Sequence, residues 1–270
     1  MRKYARCIST TVRGRSVLLL LFSCGFLFAL QTTLAQVNTE VYRIRPVEQG
    51  VTNNLSLNFS FYSGNTDFFK IGGNYRGDFL DGDIYSFLIL NYQYGEESKE
   101  IFVRNGFSHL RGVYTIAPAV RAELFTQLGF DDFILQRNRF LVGGGGRFTI
   151  GELKDSTLNF SLYIGVGGMY EREDEGDDTL NVVTELPRST NYLSMALNVH
   201  EKFGLKIVTY YQPAVTRFHD FRILLDAGIG FEILSGLSVT TSVDWRYDSD
   251  PFPGVESYDL SLSNGLTLTF

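Results

Sequence analysis

The chain has 270 residues and is 44% hydrophobic, 14% aromatic and 20% charged, with 27 Gly and two Cys. This apolar and aromatic share excludes a disordered chain, and two cysteines exclude a disulfide scaffold or a cysteine-rich zinc module. A pI near 5.2 argues against a nucleic-acid partner, and a mean hydropathy of −0.01 is too polar for a bundle of membrane helices.

Residues 1–35 read as a cleaved signal peptide. Arg2, Lys3, Arg6, Arg13 and Arg15 form a basic start, Val17 to Leu30 an apolar stretch of 14 residues, and Thr33-Leu34-Ala35 a small-residue cleavage site. The stretch is short for a bilayer core, which needs about 20 residues. Bulky Phe22 makes the segment before Cys24 a poor lipoprotein site. Removing the leader takes away both cysteines and five basic residues, leaving 19 Lys+Arg against 30 Asp+Glu, a formal charge of −11. Residues 36–49 are expected to be a short periplasmic lead and 50–270 a single domain.

From residue 55 onward the apolar residues recur with period two, as on strands that have one apolar and one polar side. Twelve such segments are expected, at roughly 55–63, 68–80, 84–94, 101–114, 119–130, 136–150, 156–172, 189–200, 205–216, 221–233, 237–248 and 256–270. In the first, Leu55, Leu57, Phe59 and Phe61 oppose Ser56, Asn58 and Ser60. In the eleventh, Leu237, Val239, Val243, Trp245 and Tyr247 oppose Ser238, Thr240, Ser242, Asp244, Arg246 and Asp248. Segment three is apolar on both sides, and segment four is ambiguous near Asn105 and His109, so their facing stays open.

Most segments exceed the roughly 5–6 residues of an average strand and match the roughly 9–11 of a tilted strand crossing a bilayer. The expected fold is therefore all-β: one transmembrane antiparallel β-barrel of about 12 strands in an up-and-down meander, in the outer membrane of a Gram-negative cell. Connections after even strands are tight, and the longest, Glu173 to Arg188, follows strand seven. Tyr92, Tyr94, Tyr170, Tyr247 and Tyr258 lie near strand ends, where interfacial girdles form. Phe270 ends the last alternating segment and reads as an outer-membrane sorting signal.

Two stretches support a family resemblance. Ser63-Gly64-Asn65-Thr66-Asp67 closes strand one. Phe130-Asp131-Asp132-Phe133 is followed by Leu135 to Phe148, with Arg137, Arg139 and the tetrad Gly143–Gly146. Over residues 50–270 the chain resembles the salt-induced outer-membrane protein family, also called domain of unknown function 481. The resemblance implies a barrel and a link to salt or osmotic response, and it implies no catalytic residues. The glycine tetrad departs from the family's usual larger residues and is expected to mark a kink or close packing.

Catalytic chemistry has little to build on. His109 beside Ser108 and His200 near Asn198 lack a recognisable motif and read as interfacial or turn histidines. His219 falls in Arg217–Asp220, read as an exposed loop. The acidic run Glu173–Asp178 suits a hard cation in principle but lacks calcium-loop spacing, and reads as a solvated outer loop. No enzyme, metal or cofactor is expected.

The inward charges are more informative. With apolar faces outward, Arg104, Arg121, Arg137, Arg139 and Arg147 line one wall of the lumen, and Asp226, Glu232, Asp244, Asp248 and Asp259 the opposite wall. Twelve strands about 4.8 Å apart and tilted about 40° give a backbone diameter of roughly 24 Å. Two readings stay foremost, a narrow channel for ions or small solutes, or a plugged structural or adhesive barrel in which the charges pair, with an outer-membrane lipid-modifying enzyme as the lesser alternative. Expected partners are outer-membrane lipids, lipopolysaccharide and the barrel assembly machinery, with no nucleic acid.

Overall fold

A computed structural model describes residues 49–64, 67–177, 179–200, 202–234 and 236–268. The leader and Phe270 lie outside these residues. The chain forms β1 (Gly50–Tyr62), β2 (Phe68–Asp81), β3 (Ile84–Glu97), β4 (Glu100–Ala117), β5 (Val120–Asp131) and β6 (Gln136–Lys154). It continues with β7 (Leu158–Gly176), β8 (Asn181–Val199), β9 (Phe203–Ala214), β10 (Arg217–Leu234), β11 (Leu237–Asp248) and β12 (Tyr258–Leu268). Each strand pairs with the next, giving one twelve-stranded antiparallel sheet in chain order. No helix among the described residues is long and apolar enough to cross a membrane.

Turn chemistry sets the hairpins. Ser98 and Lys99, at φ 51° and 71°, form the two-residue link from β3 to β4, the geometry whose twist matches that of paired strands. Gly82, at φ 54°, supplies the positive φ in the link from β2 to β3. After β5 the Asp131 carboxylate accepts the Phe133 N–H at 2.9 Å and starts a 3-10 turn over Asp132–Ile134.

The sheet differs from the sequence expectation most at β8. The predicted long loop 173–188 is mostly strand: β7 and β8 pair without a register shift from Leu158↔Val199 to Gly176↔Asn181. Pro187 stands inside β8. Its carbonyl accepts Val215 N–H from the β9–β10 turn, beyond the last β8–β9 pair at Arg188↔Ala214. The nitrogen of an antiparallel residue points the same way as its carbonyl, so the missing donor faces no ladder. The longest connection is instead 249–257, between β11 and β12.

The sheet curls strongly. β7 and β10 lie three strand spacings apart, about 14 Å along a flat sheet, yet Arg222 of β10 reaches Glu171 of β7 at 2.5 Å. Tyr192 of β8 likewise reaches Glu123 of β5 at 3.0 Å. The concave face is therefore the inside, and the convex face carries exposed Leu57, Phe59, Leu124, Leu128, Leu260 and Leu266. Toward the β11–β12 loop end, outward rings touch across strands, Tyr211 with Phe221 and Phe221 with Tyr247, and along β11, Tyr247 with Trp245. Among the described residues β1 and β12 pair only with β2 and β11, so the first and last strands carry the free edges of the sheet.

Candidate functional site: the barrel interior

The interior is built by alternation. On β3 the odd positions Tyr85, Phe87 and Ile89 are buried while Ile84, Leu90 and Tyr92 are exposed, which settles the facing of that strand. On β4 the odd positions Asn105, His109, Arg111 and Val113 are buried. These residues fill the concave side beneath the strand ends.

Its densest part is an ionic cluster toward the 177–180 turn. Glu171 accepts from three arginines: Arg139 at 2.7 Å, Arg222 at 2.5 Å, and Arg188. Arg222 in turn grips three carboxylates, reaching Glu173 at 2.5 Å and Asp248 at 2.6 Å besides Glu171. Arg188 also meets Asp220 at 2.7 Å, and the Gln136 amide donates to Glu173. The Arg139, Glu171, Glu173, Arg188 and Arg222 side chains are each 4% exposed or less. Burial of charges at this depth costs several kcal/mol per ion, roughly, unless each is paired and hydrogen-bonded, and the cluster supplies those partners.

Below it lies a mixed aromatic and charged layer. His109 sits between Phe87 and Phe125, at centroid distances of 5.8 and 6.1 Å, with Nδ1 3.2 Å from Gln127 Oε1. Arg111 pairs with Glu123 at 3.3 Å and lies over Phe125. Arg147 stacks 3.9 Å from the Tyr163 ring centre and donates to the Tyr192 hydroxyl, which donates to Glu123. Glycines make room for this layer. A Cβ on Gly145 would strike the Val166 carbonyl, and one on Gly165 the Tyr192 ring. The expected close packing at the glycine tetrad is thus present, against the backbone of β7. Two gaps beside Arg111, Phe125 and Thr190 are about 20 Å³ each, room for a water molecule.

Two of the sequence-assigned lumen arginines lie elsewhere. Arg104 is on an even, outward position of β4 and pairs at 2.5 Å with exposed Asp132 on the rim. Arg137 is turned out by the register shift between Gln136 and Asn138, and donates to the Gly176 and Asp177 carbonyls. Arg139 and Arg147 are buried, and Arg121 is half-buried against Thr149. Asp226 is buried and pairs with Arg246 at 2.6 Å, while Asp248 meets Arg222. Glu232 accepts the Gly236 N–H at a turn, and Asp244 and Asp259 are half-buried. Arg139 finds its acids on adjacent β7, in Glu171 and Glu173, so its pairing does not run to the opposite wall.

Three other expectations change. His109 is 1% exposed inside the barrel, where an interfacial or turn position was expected, and adjacent Ser108 faces away from it. Asp220 is buried against Arg188, although 217–220 reads as an exposed loop. Glu173 belongs to the ionic cluster and not to a solvated loop. In the acidic run it is Asp177 that caps the turn, accepting from the Thr179 hydroxyl and from the Thr179 and Leu180 N–H groups at 2.7–2.8 Å. These bonds hold its carboxyl below the usual carboxylate range, the Thr179 hydroxyl contributing most.

Comparison with known proteins gives a family but no activity. None of the curated proteins matches the chain. Among solved structures it is similar to one described as "NanC porin structure in rhombohedral crystal form", at 6% identity and a TM-score of 0.42, over 82% of this chain and 99% of that one. A family model described as "Protein of unknown function, DUF481" matches residues 55–270. The match spans most of the chain and all but the start of the first strand, and the chain belongs to the DUF481 family.

Proposed function

We propose that this chain is an exported, non-enzymatic β-barrel of the Gram-negative outer membrane that acts as a narrow conduit. The observation that carries the reading is the inverted distribution of polarity. Large apolar side chains such as Leu124, 72% exposed, and Leu266, 76% exposed, cover the convex face, while paired charges fill the concave face. A lipid-facing barrel requires that arrangement, and a water-facing sheet penalises it. The basic-then-apolar leader supports export. The outward face would meet lipid and lipopolysaccharide, and insertion would need the barrel assembly machinery.

Within the barrel the ionic cluster is a brace and not a selectivity filter. Its charges neutralise one another at contact distance and present no open ring to a passing ion. Arg139 of β6, Glu171 and Glu173 of β7, and Asp220 and Arg222 of β10 are engaged in that pairing, which supports a non-enzymatic role. Planar-bilayer recording on the protein extracted from outer membranes tests the reading. The expected result is small discrete conductance steps with weak ion preference at low and high salt. A folded, heat-modifiable barrel that stays electrically silent would overturn the conduit in favour of a plugged structural barrel.

A further inference from the structure

The two sides of the interior are furnished differently. From β3 to β10 many inward positions carry large groups that meet across the concavity, among them Phe87, His109, Glu171 and Arg222. On β1, β11 and β12 they carry Asn54, Ser56, Asn58, Ser242, Ser261 and Ser263, every one exposed or half-buried. Register fixes this facing. Asn54 pairs opposite Arg76, whose guanidinium bonds the buried Asp78 carboxylate at 2.6 Å. Ser242 lies four residues along β11 from Arg246, which reaches in to Asp226, and Ser263 is the β12 partner of Ser242. On the adjoining β10 a Cβ added to Gly228 would meet nothing within 4 Å, so the space in front of that wall is open. At Gly143, Gly145 and Gly165, on the filled side, the same addition collides.

β1 and β12 also hold the sheet's free edges. An up-and-down sheet with an even number of strands leaves its end strands antiparallel. A bilayer offers no water to satisfy bare edge groups. Joined edge to edge, the two strands bring their serines and asparagines into one continuous strip.

We infer that this strip, resting on the conduit reading above, is the passage itself, and that it selects small uncharged polyhydroxylated solutes. Hydroxyl and amide side chains both donate and accept, so a polyol exchanges water for wall contacts one hydroxyl at a time. Asp244 and Asp259 on one side and Lys70 on the other lie toward the loop-side mouth, mixed in sign. Past them the side chains of the strip itself are neutral, and the inward charges nearest it stand on the neighbouring strands, Arg76 paired with Asp78 on β2 and half-buried Lys206 beside Gly228 on β9. The filled sector takes up the rest of the cross-section and keeps the passage narrow.

Vesicle swelling tests the solute class, with the protein extracted from outer membranes and erythritol, lactate and sucrose as probes. Erythritol entry at least about tenfold above protein-free vesicles, with lactate slower and sucrose at the protein-free rate, is the expected pattern. Cysteine probes then locate the path, since Cys7 and Cys24 both lie in the leader. A thiol-directed ammonium reagent should react at Ser263→Cys and Asn58→Cys and cut erythritol flux severalfold, and should not react at Thr190→Cys in the filled sector. The two reactive positions are on different edge strands, so either carries the test if the other variant fails to assemble. Normal conductance steps with erythritol at the protein-free rate, or labelling that leaves flux unchanged, would overturn the inference while leaving the conduit reading intact. A folded barrel silent in both assays would overturn the conduit reading as well.

Discussion

Arg222→Met is the sharpest test of the ionic brace. Arg222 is 4% exposed and contacts Glu171, Glu173 and Asp248 at 2.5, 2.5 and 2.6 Å. Without it Glu171 still holds Arg139 and Arg188, so its loss is small. Glu173 keeps only the Gln136 amide and a 3.8 Å approach from Arg139. Asp248 keeps the Asp250 N–H at 3.0 Å. Two carboxylates thus lose their main cation in a buried setting, at about 1–3 kcal/mol each, in line with the roughly 3–5 kcal/mol for breaking a buried pair. Methionine fills much of the arginine's volume, so the cost is electrostatic and not a cavity. Urea unfolding in lipid vesicles, followed by fluorescence of the chain's single tryptophan, Trp245, should show a loss of that size. Adding Glu173→Gln to Arg222→Met should return about 1–2 kcal/mol, because the orphaned charge is gone. A single variant within about 0.5 kcal/mol of the parent, or a double variant weaker than the single, would refute the brace.

Three further outcomes follow from the same fold. Leu124→Arg places a charge on the convex face at a site 72% exposed; it should cost about 2–4 kcal/mol in a bilayer, whereas a water-facing site would tolerate it. Gly165→Val drives a side chain into the Tyr192 ring and should cost about 1–3 kcal/mol or more by urea unfolding, while Gly228→Ala, which meets open space, should stay within about 0.5 kcal/mol. The Asp177 carboxyl is depressed by its three hydrogen bonds, so its contribution is present at neutral pH and is lost as pH falls through that depressed value. In Asp177→Ala, amide exchange at Thr179 and Leu180 should be faster near neutrality and lose this acid-side dependence; unchanged exchange would show that the cap does not hold the turn.

The architecture was legible because it is written locally. Strand length and period-two alternation need only neighbouring residues, and β11 and β12 read cleanly since one side is aliphatic or aromatic and the other hydroxylated or charged. β4 did not read this way. Leu110 and Tyr114 face out while His109, Arg111 and Val113 face in, so both sides mix polar and apolar groups. The sequence therefore carried no contrast by which to place Arg104 outside and Arg111 inside. Arg137 failed for a different reason: it keeps step with Arg139 in sequence, and only the register shift at β6 turns it outward.

The acidic run shows where local reading ends. Six residues from Glu173 to Asp178 hold five carboxylates, and like charges so close together suggest solvation. Yet Glu171, Glu173 and Glu175 keep the strand period and share one side of β7, while Tyr170, Arg172 and Asp174 share the other. That alternation was the available signal for a strand, and Leu186, Arg188, Thr190 and Tyr192 continue it on β8. What it could not supply was the cation. Arg222 lies 51 residues from Glu171 and 49 from Glu173, and its approach exists only once three strand spacings have curled into contact. The charge of a lumen residue is thus readable from its own strand, but whether it conducts or braces is decided by the curvature of the whole sheet. The cluster is where this chain resolves that choice, and the neutral strip is what it leaves free.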